Sequence, residues 1–550
     1  MTTKTSATTG RRTSASSARK ETTCVSMPSS GGSGSPRPWR PHAYQKTGVR
    51  FLLSHPEAAL FWDPGLGKSS VVLSALVFMT RARGAKRTLI IAPKRACEVV
   101  WSHEAEGELS KWTDFQHIRE VFLHGPKKLD LIEEDADIYL VNFDAVQWLT
   151  SCPDCEHSHV GTCRDVIKVR DEETGKDRKR HCNCKTQDAP IDRLIARGVN
   201  TLVVDELSKF KHTPTKRFKS MKRHLGRFKR RWGLTGDPAA NNMEDLFGEA
   251  FTIDLGRSLG KSISGYRFKY FRPTGYGGYT WVVQSKEAEA AIYKRMKDVA
   301  IAMRAEDHLD LPELVEENIW VDLPDDVRER YDELEDELFT LIGKHEIVAA
   351  NAAVASGQCR QVASGGLYAH TKKKTRKTLL LHHAKTEALV DLVDELQGSP
   401  LLVGYEFHHD LDRIREKLGD VPALNGETKS ADFKRLVVEW NAGKIPVLCG
   451  QPQSMGHALN LQRAGSHVAF YTTPWDGELV NQVIRRVWRQ GNESSRVVVH
   501  RIVARKTVDE DVLASLARKK RGQLALFEAL KAGVTARRQR ASKPARHPSK

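Results

Sequence analysis

No stretch of this chain approaches the run of about 18 apolar residues that a membrane helix requires, and no apolar core of a secretory signal is present. Those two absences predict a soluble protein of a reducing compartment, the cytoplasm of a bacterium or of a phage-infected host, or the nucleus if the source is eukaryotic. Cysteine is sparse, nine in 550 residues. In such a compartment these are thiols or metal ligands rather than a disulfide framework. Acidic residues are in deficit, 69 against 87 Lys and Arg, so the formal charge is +18 and the sequence pI about 9.4. That excess points to a polyanionic partner, most plausibly nucleic acid, with solvated basic tails accounting for part of it. Residues 1–36 hold a single acid, Glu21, and little that is apolar, and read as a disordered basic tail. No short repeat is evident, and 550 residues exceed one ordinary core, so two or more domains are expected.

What is present is organised around Asp63-Pro64-Gly65-Leu66-Gly67-Lys68-Ser69. The apolar run Ala58 to Trp62 before it predicts a buried strand, and Ser70 to Val77 after it a helix. A strand that breaks into a glycine loop and then a helix leaves backbone N–H groups converging on one point, where a polyphosphate sits. Lys68 is placed to reach the β- and γ-phosphates of ATP, and the Ser69 hydroxyl to ligate Mg²⁺. Asp63, Gly65 and Gly67 complete the cofactor-binding loop, although Trp62 stands where the full pattern has its first glycine. Upstream, Gln45 offers the paired donor and acceptor that an adenine edge requires, a surface glutamine being the plain alternative. Further on, the strand Thr201 to Val204 delivers Asp205 and Glu206, one carboxylate for Mg²⁺ and one to orient or deprotonate the attacking water. Lys94 and Arg95 follow the strand Thr88 to Ala92, at the rim where doubly wound folds carry ligand contacts, and are placed to grip a phosphate backbone.

Taken with Leu234-Thr235-Gly236-Asp237-Pro238, the order of these motifs resembles the first RecA-type lobe of a superfamily 2 helicase-like ATPase of the Swi/Snf type. That family usually has threonine where this chain has Asp237. In the second half, Ser454 to Leu461 resembles the family's Gly-x-x-x-Asn-Leu segment, with Ala458 in place of a glycine. Gln482 to Gly491 matches Gln-x-x-x-Arg-x-x-Arg-x-Gly, with Arg485 in place of the customary acid. The resemblance implies an α/β fold of two tandem RecA-like lobes with parallel sheets, ATP and Mg²⁺ in the cleft and nucleic acid on the opposite rim. It implies nucleic-acid contacts by Lys94, Thr235, Gly236, Ser454, Gly456 and Asn460. Arg486 and Arg489, three apart and expected on one helix face, would enter the pocket and stabilise the transferred phosphoryl group. The compact size, without long second-lobe insertions, resembles short phage or bacterial members more than chromatin remodellers.

The expected domains are a basic tail over 1–36, lobe 1 over 37–300, lobe 2 over 301–530 and a basic tail over 531–550. Lobe 1 carries a cysteine-rich insertion over 150–190. There Cys152, Cys155, Cys163, Cys182 and Cys184, five of nine cysteines, fall within 33 residues, with His157, His159 and His181 among them. A Cys-x-x-Cys knuckle with further Cys and His suggests a structural zinc, the ligand set remaining open between several combinations. The stretch 257–282, rich in Tyr, Phe, Arg and Lys, suits either nucleic-acid contact or an inter-lobe loop equally. The leading functional expectation is an ATP-hydrolysing translocase on double-stranded DNA. A strand-separating DNA or RNA helicase is the near alternative, and a regulatory DNA clamp with a degenerate ATPase the alternative from another class.

Overall fold

The structure, a computed structural model, describes residues 35–83, 87–104, 107–152, 189–239, 242–274, 280–343, 349–370, 376–455 and 460–541, together with 161–162, 166–170, 177–181 and 185–186 of the cysteine-rich insertion. Two parallel sheets form its frame. The first contains β1 (Glu57–Trp62), β2 (Arg87–Ala92), β3 (Glu120–Phe122), β4 (Ile138–Asn142), β5 (Val199–Asp205), β6 (Arg230–Thr235) and β7 (Ala300–Met303), in the spatial order β7-β1-β6-β5-β2-β4-β3. The second contains β8 (Glu313–Val321), β9 (Leu401–Gly404), β10 (Ala423–Leu424), β11 (Val447–Gly450), β12 (His467–Phe470) and β13 (Arg496–Ala504), in the order β8-β13-β12-β9-β11-β10.

Strands buried on both faces read as near-continuous apolar runs, and β1 shows why. Its alternate side chains go to two different cores: Ala59 and Phe61 join one, Ala58, Leu60 and Trp62 the other. β9 does the same in the second lobe, where Leu401 and Val403 face one cluster and Leu402 the other. Trp62, which replaces the usual glycine, is fully buried and lies against Tyr44 and Gly48 of the helix Ala43–Ser54. A Cβ at Gly48 of that helix would stand 2.4 Å from the Trp62 ring, so the indole and this glycine require each other.

Strand order determines what meets at the cleft. β1, β6 and β5 are consecutive, with Phe61 in register with Thr235 and Leu234 with Asp205. The carboxyl ends of these strands therefore deliver the glycine loop, the Thr235-Gly236 turn and the Asp205-Glu206 pair side by side, as the geometry of open α/β sheets dictates.

Two sequence expectations are adjusted here. β7 pairs with β1 through Met303, so the first sheet extends past residue 300 and the second begins at Glu313. The basic segment from 531 does not begin as a tail: the helix Val508–Ala541 continues through it, and Leu526 of that helix is fully buried in the lobe 1 core. In the aromatic stretch 257–282, Tyr266, Tyr270 and Phe271 are buried, the Tyr266 hydroxyl donating to the Met243 carbonyl at 2.9 Å, while Arg257, Lys261, Lys269 and Arg272 are exposed. Composition alone does not separate a nucleic-acid surface from packed tyrosines; among the described aromatics of that stretch Phe268 is 89% exposed. In the insertion, 161–162 pairs antiparallel with 185–186, and 166–170 with 177–181.

Candidate active site

The glycine loop leaves β1 at Asp63 and enters the helix Lys68–Arg83. Gly65 and Gly67 have φ of 90° and 75°, the left-handed region that a residue with a Cβ enters only with strain. At Gly67 a Cβ would also stand 2.5 Å from Gln45 Nε2. Gln45 is buried; its Nε2 donates to the Leu66 carbonyl at 3.2 Å and its Oε1 accepts from the His42 N–H at 2.9 Å. It therefore ties the start of its own helix to the loop, leaving one N–H and one lone pair for a base edge.

Lys68 folds back over the loop, its Nζ donating to the Trp62 carbonyl at 2.7 Å. Burial pushes its pKa down, opposed by the nearby carboxylates of Glu206, Asp205 and Asp63. Asp205 is fixed by the Trp101 indole N–H, 2.8 Å from Oδ2, and also accepts from the Glu206 backbone; burial pushes its pKa up. Ser69 and Asp205 are thus a hydroxyl and a carboxylate, hard oxygen donors of the kind Mg²⁺ takes.

Glu206 sits at φ 66° and ψ 61°, a left-handed conformation unusual for a residue with a side chain. Backbone strain of this kind, costing about 1–3 kcal/mol, is held where the surroundings over-determine it, and here it turns the carboxylate off the strand axis into the cleft. Ser208 Oγ lies 2.9 Å from Oε1, and Thr235 Oγ donates to the same oxygen at 3.3 Å, leaving Oε2 for a water. Burial, with Glu478 and Asp205 adding to it, pushes the Glu206 carboxyl up to about 7.

The second lobe closes this cleft. The helix Gly477–Val487 begins with Asp476 capping the Glu478 N–H and ends at Trp488, whose ψ of 84° leaves the helical region. Arg486 is on its last turn and Arg489 lies beyond it, so the two are not on one helix face as the spacing suggested. Both nevertheless reach the pocket. Arg486 bears on Glu206, and burial with Arg489 close by pushes its pKa down to about 10. Arg489 Nη1 donates to Asn460 Oδ1 at 2.7 Å, and a Cβ at Gly65 would be 3.8 Å from Arg489 Nε.

Several expected contacts have other surroundings. Asp63 is buried and faces the second lobe: Arg485 Nη1 is 2.6 Å from Oδ1, and the Ala305 N–H donates to Oδ2 at 2.9 Å. Thr235 is buried against Glu206, and Gly236 packs on Pro64 of the loop, where a Cβ would stand 2.9 Å from Cδ. These two face the nucleotide side of the cleft, not an open rim. Lys94 is exposed at the end of β2, 3.8 Å from Glu98, and the Arg95 guanidinium lies over the Phe433 ring of lobe 2, 3.5 Å from its centroid. Asn460 is exposed, Ser454 lies in the short helix Pro452–Met455, and Gly456 is outside the described residues. Of the candidate zinc ligands, Cys152 is buried, while Cys155, Cys163, Cys182 and Cys184 lie outside the described residues. Among the described residues no group of three or more His, Cys, Asp or Glu is placed to hold a metal. Nor is any helix among them long and apolar enough to cross a membrane.

Trp101, Ser208 and Glu478 were not singled out in the sequence. Their partners are 104, 2 and 270 residues away, and no local pattern marks them.

With this geometry in hand, comparison with known proteins is decisive on the family: residues 44–379, more than half of the chain, match the SNF2-related domain. The chain belongs to the SNF2-related family. As a member it is an ATP hydrolase. Putative protein p41 of Acyrthosiphon pisum secondary endosymbiont phage 1 is 29% identical over 503 residues, 89% of this chain and 98% of p41. The putative ATP-dependent helicase/translocase YwqA of Bacillus subtilis is 23% identical over 59% of this chain, which spans only 35% of YwqA. Among solved structures, the Sulfolobus solfataricus SWI2/SNF2 ATPase core in complex with double-stranded DNA is 19% identical, covers 90% of this chain and 94% of its own, and superposes with a TM-score of 0.38.

Proposed function

We propose that this SNF2-related ATPase moves along double-stranded DNA without opening it. The observation that carries the reading is the convergence of Lys68, Asp205 and Glu206 from lobe 1 with Arg486 and Arg489 from lobe 2 in one cleft. Hydrolysis that needs groups from both lobes is mechanically tied to their approach, which is what a stepping motor requires. The backbone N–H groups of the loop and Lys68 hold the polyphosphate, and Gln45 meets the base. Ser69 and Asp205 would hold Mg²⁺, which would supply charge neutralisation to the phosphates. Glu206 Oε2 orients the attacking water and takes its proton. Arg486 and Arg489 stabilise the charge that develops on the transferred group.

DNA as the track is supported by the +18 charge and by Lys94 at the exposed end of β2. Phosphate contacts position a protein without reading sequence, so binding is expected to be non-specific. The test is ATP turnover with no polymer, duplex DNA, single-stranded DNA and RNA. Stimulation by duplex DNA above the other polymers supports the reading, while stimulation by RNA alone replaces it with the helicase alternative.

We further propose that the insertion binds one structural zinc. β-Pairing supports this: Thr162 and Lys185, the chain neighbours of Cys163 and Cys184, are register partners, so the two halves of the cysteine motif are closed by an antiparallel ribbon.

A further inference from the structure

Besides Gln482, which donates to Glu478 within the helix, the helix Gly477–Val487 carries two sets of polar side chains, and hydrolysis accounts for only one, the Arg486 that acts with Arg489. The other is Glu478, Asn481 and Arg485, at positions i, i+3 and i+7, a single stripe along the helix. Every member of the stripe crosses to lobe 1. Glu478 accepts from Ser208 Oγ at 2.9 Å and from Lys211 Nζ at 3.0 Å. Asn481 Nδ2 donates to Asp237 Oδ1 at 3.0 Å, and the same oxygen accepts from Gln523 Nε2 at 2.7 Å, a residue of the helix Val508–Ala541. Arg485 lies 2.6 Å from Asp63 and also in the field of Asp237.

Asp237 and Arg485 are two positions at which this chain departs from the Swi/Snf-type pattern. An acid at 485 would face Asp63 and Asp237, three carboxylates in one desolvated seam, which cannot all stay charged. The departures are complementary: the extra acid is on lobe 1 and the base that answers it on lobe 2. Asp63 also opens the glycine loop, so the ion pair ties lobe 2 to the phosphate-binding element itself.

We propose that Glu478, Asn481 and Arg485 are positioning residues that register the arginine helix on lobe 1. Arg485, between Asp63 and Asp237, is the member on which the placement of Arg486 and Arg489 depends. This role rests on the reading of that arginine pair as transition-state groups. A guanidinium has to meet the phosphoryl group within a fraction of an ångström, and a displacement of about 1 Å costs roughly 10²-fold in rate. A stripe that fixes both the rotation and the height of the helix supplies that precision, while the adjacent face aims Arg486 at the cleft.

The test measures kcat and KM for ATP on the full chain with saturating duplex DNA, for Arg485→Gln, Arg485→Lys, Asp237→Asn, Asn481→Ala and the Arg485→Gln/Asp237→Asn double variant, beside Arg489→Ala. Arg485→Gln is expected to lose about 10²-fold in kcat with KM little changed, since the loop still binds ATP. Arg485→Lys, which keeps the charge, should recover part of that loss. The double variant should be no worse than Arg485→Gln alone, because both changes break one contact set. Asn481→Ala, the mildest change, shows the same split between kcat and KM if a single variant at 485 fails to fold. The proposal is overturned if Arg485→Gln and Asn481→Ala keep wild-type kcat, or if the two changes at 485 and 237 add independently. Arg489→Ala separates the two levels: wild-type turnover there would remove the arginine reading itself, whereas its loss with Arg485→Gln unaffected would remove only the stripe.

Discussion

On the proposed reading, hydrolysis depends on a few atoms whose neighbours hold them in unusual states. Lys68 is a half-buried ammonium among three carboxylates, and Glu206 a carboxylate in a left-handed backbone turn with one oxygen taken up by Ser208 and Thr235. Replacing Lys68 by Ala removes the phosphate charge; replacing Glu206 by Gln keeps shape and removes the base. Both variants should abolish turnover, while Glu206→Gln still binds ATP, measured by nucleotide titration alongside phosphate release. Hydrolysis near the wild-type rate by either would refute the pocket assignment. Arg489→Ala should bind ATP almost normally and lose on the order of 10³-fold in kcat, as a transition-state arginine does. A weakened affinity with kcat intact would make it a ground-state contact instead.

Among the elements, the glycine loop, the Asp205-Glu206 strand end and the Thr235-Gly236 turn were legible in the sequence because each is a contiguous strand and loop whose chemistry is local. Their meeting follows from the adjacency of β1, β6 and β5. The seam between the lobes was not legible. Arg485 and Asp63 are 422 residues apart, and each read singly as a departure or a loop residue; only the packed helix shows that they are partners. In 257–282 the core takes Tyr266, Tyr270 and Phe271 and leaves Phe268 exposed, a division that cations and aromatics in sequence do not show. Arg489 misled through the helix end at Val487, which no residue pattern announced. For the cysteine-rich insertion, elemental analysis of the purified protein should find about one zinc per chain, and Cys152→Ser with Cys155→Ser should lose it while ATP binding persists. Metal-free protein of unaltered stability would rule the zinc out.

At the scale of the whole molecule, the two sheets are connected by a segment between Met303 and Glu313, by the arginine helix seated on lobe 1, and by the helix Val508–Ala541, which leaves lobe 2 and buries Leu526 in the lobe 1 core. On the proposed reading, the two halves would close and open about a nucleotide that both hold. If each lobe grips phosphates, DNA affinity should fall linearly on a logarithmic plot against salt, with a slope of about −0.9 per phosphate neutralised. The claim that ATP-driven closure moves the protein along intact duplex is tested most directly by displacement of a triplex-forming third strand, run beside release of a labelled strand from a forked duplex. The account predicts ATP-dependent third-strand displacement, abolished by Glu206→Gln, with little or no strand release from the fork; strong strand release, or no displacement while duplex DNA still stimulates ATP turnover, would contradict it.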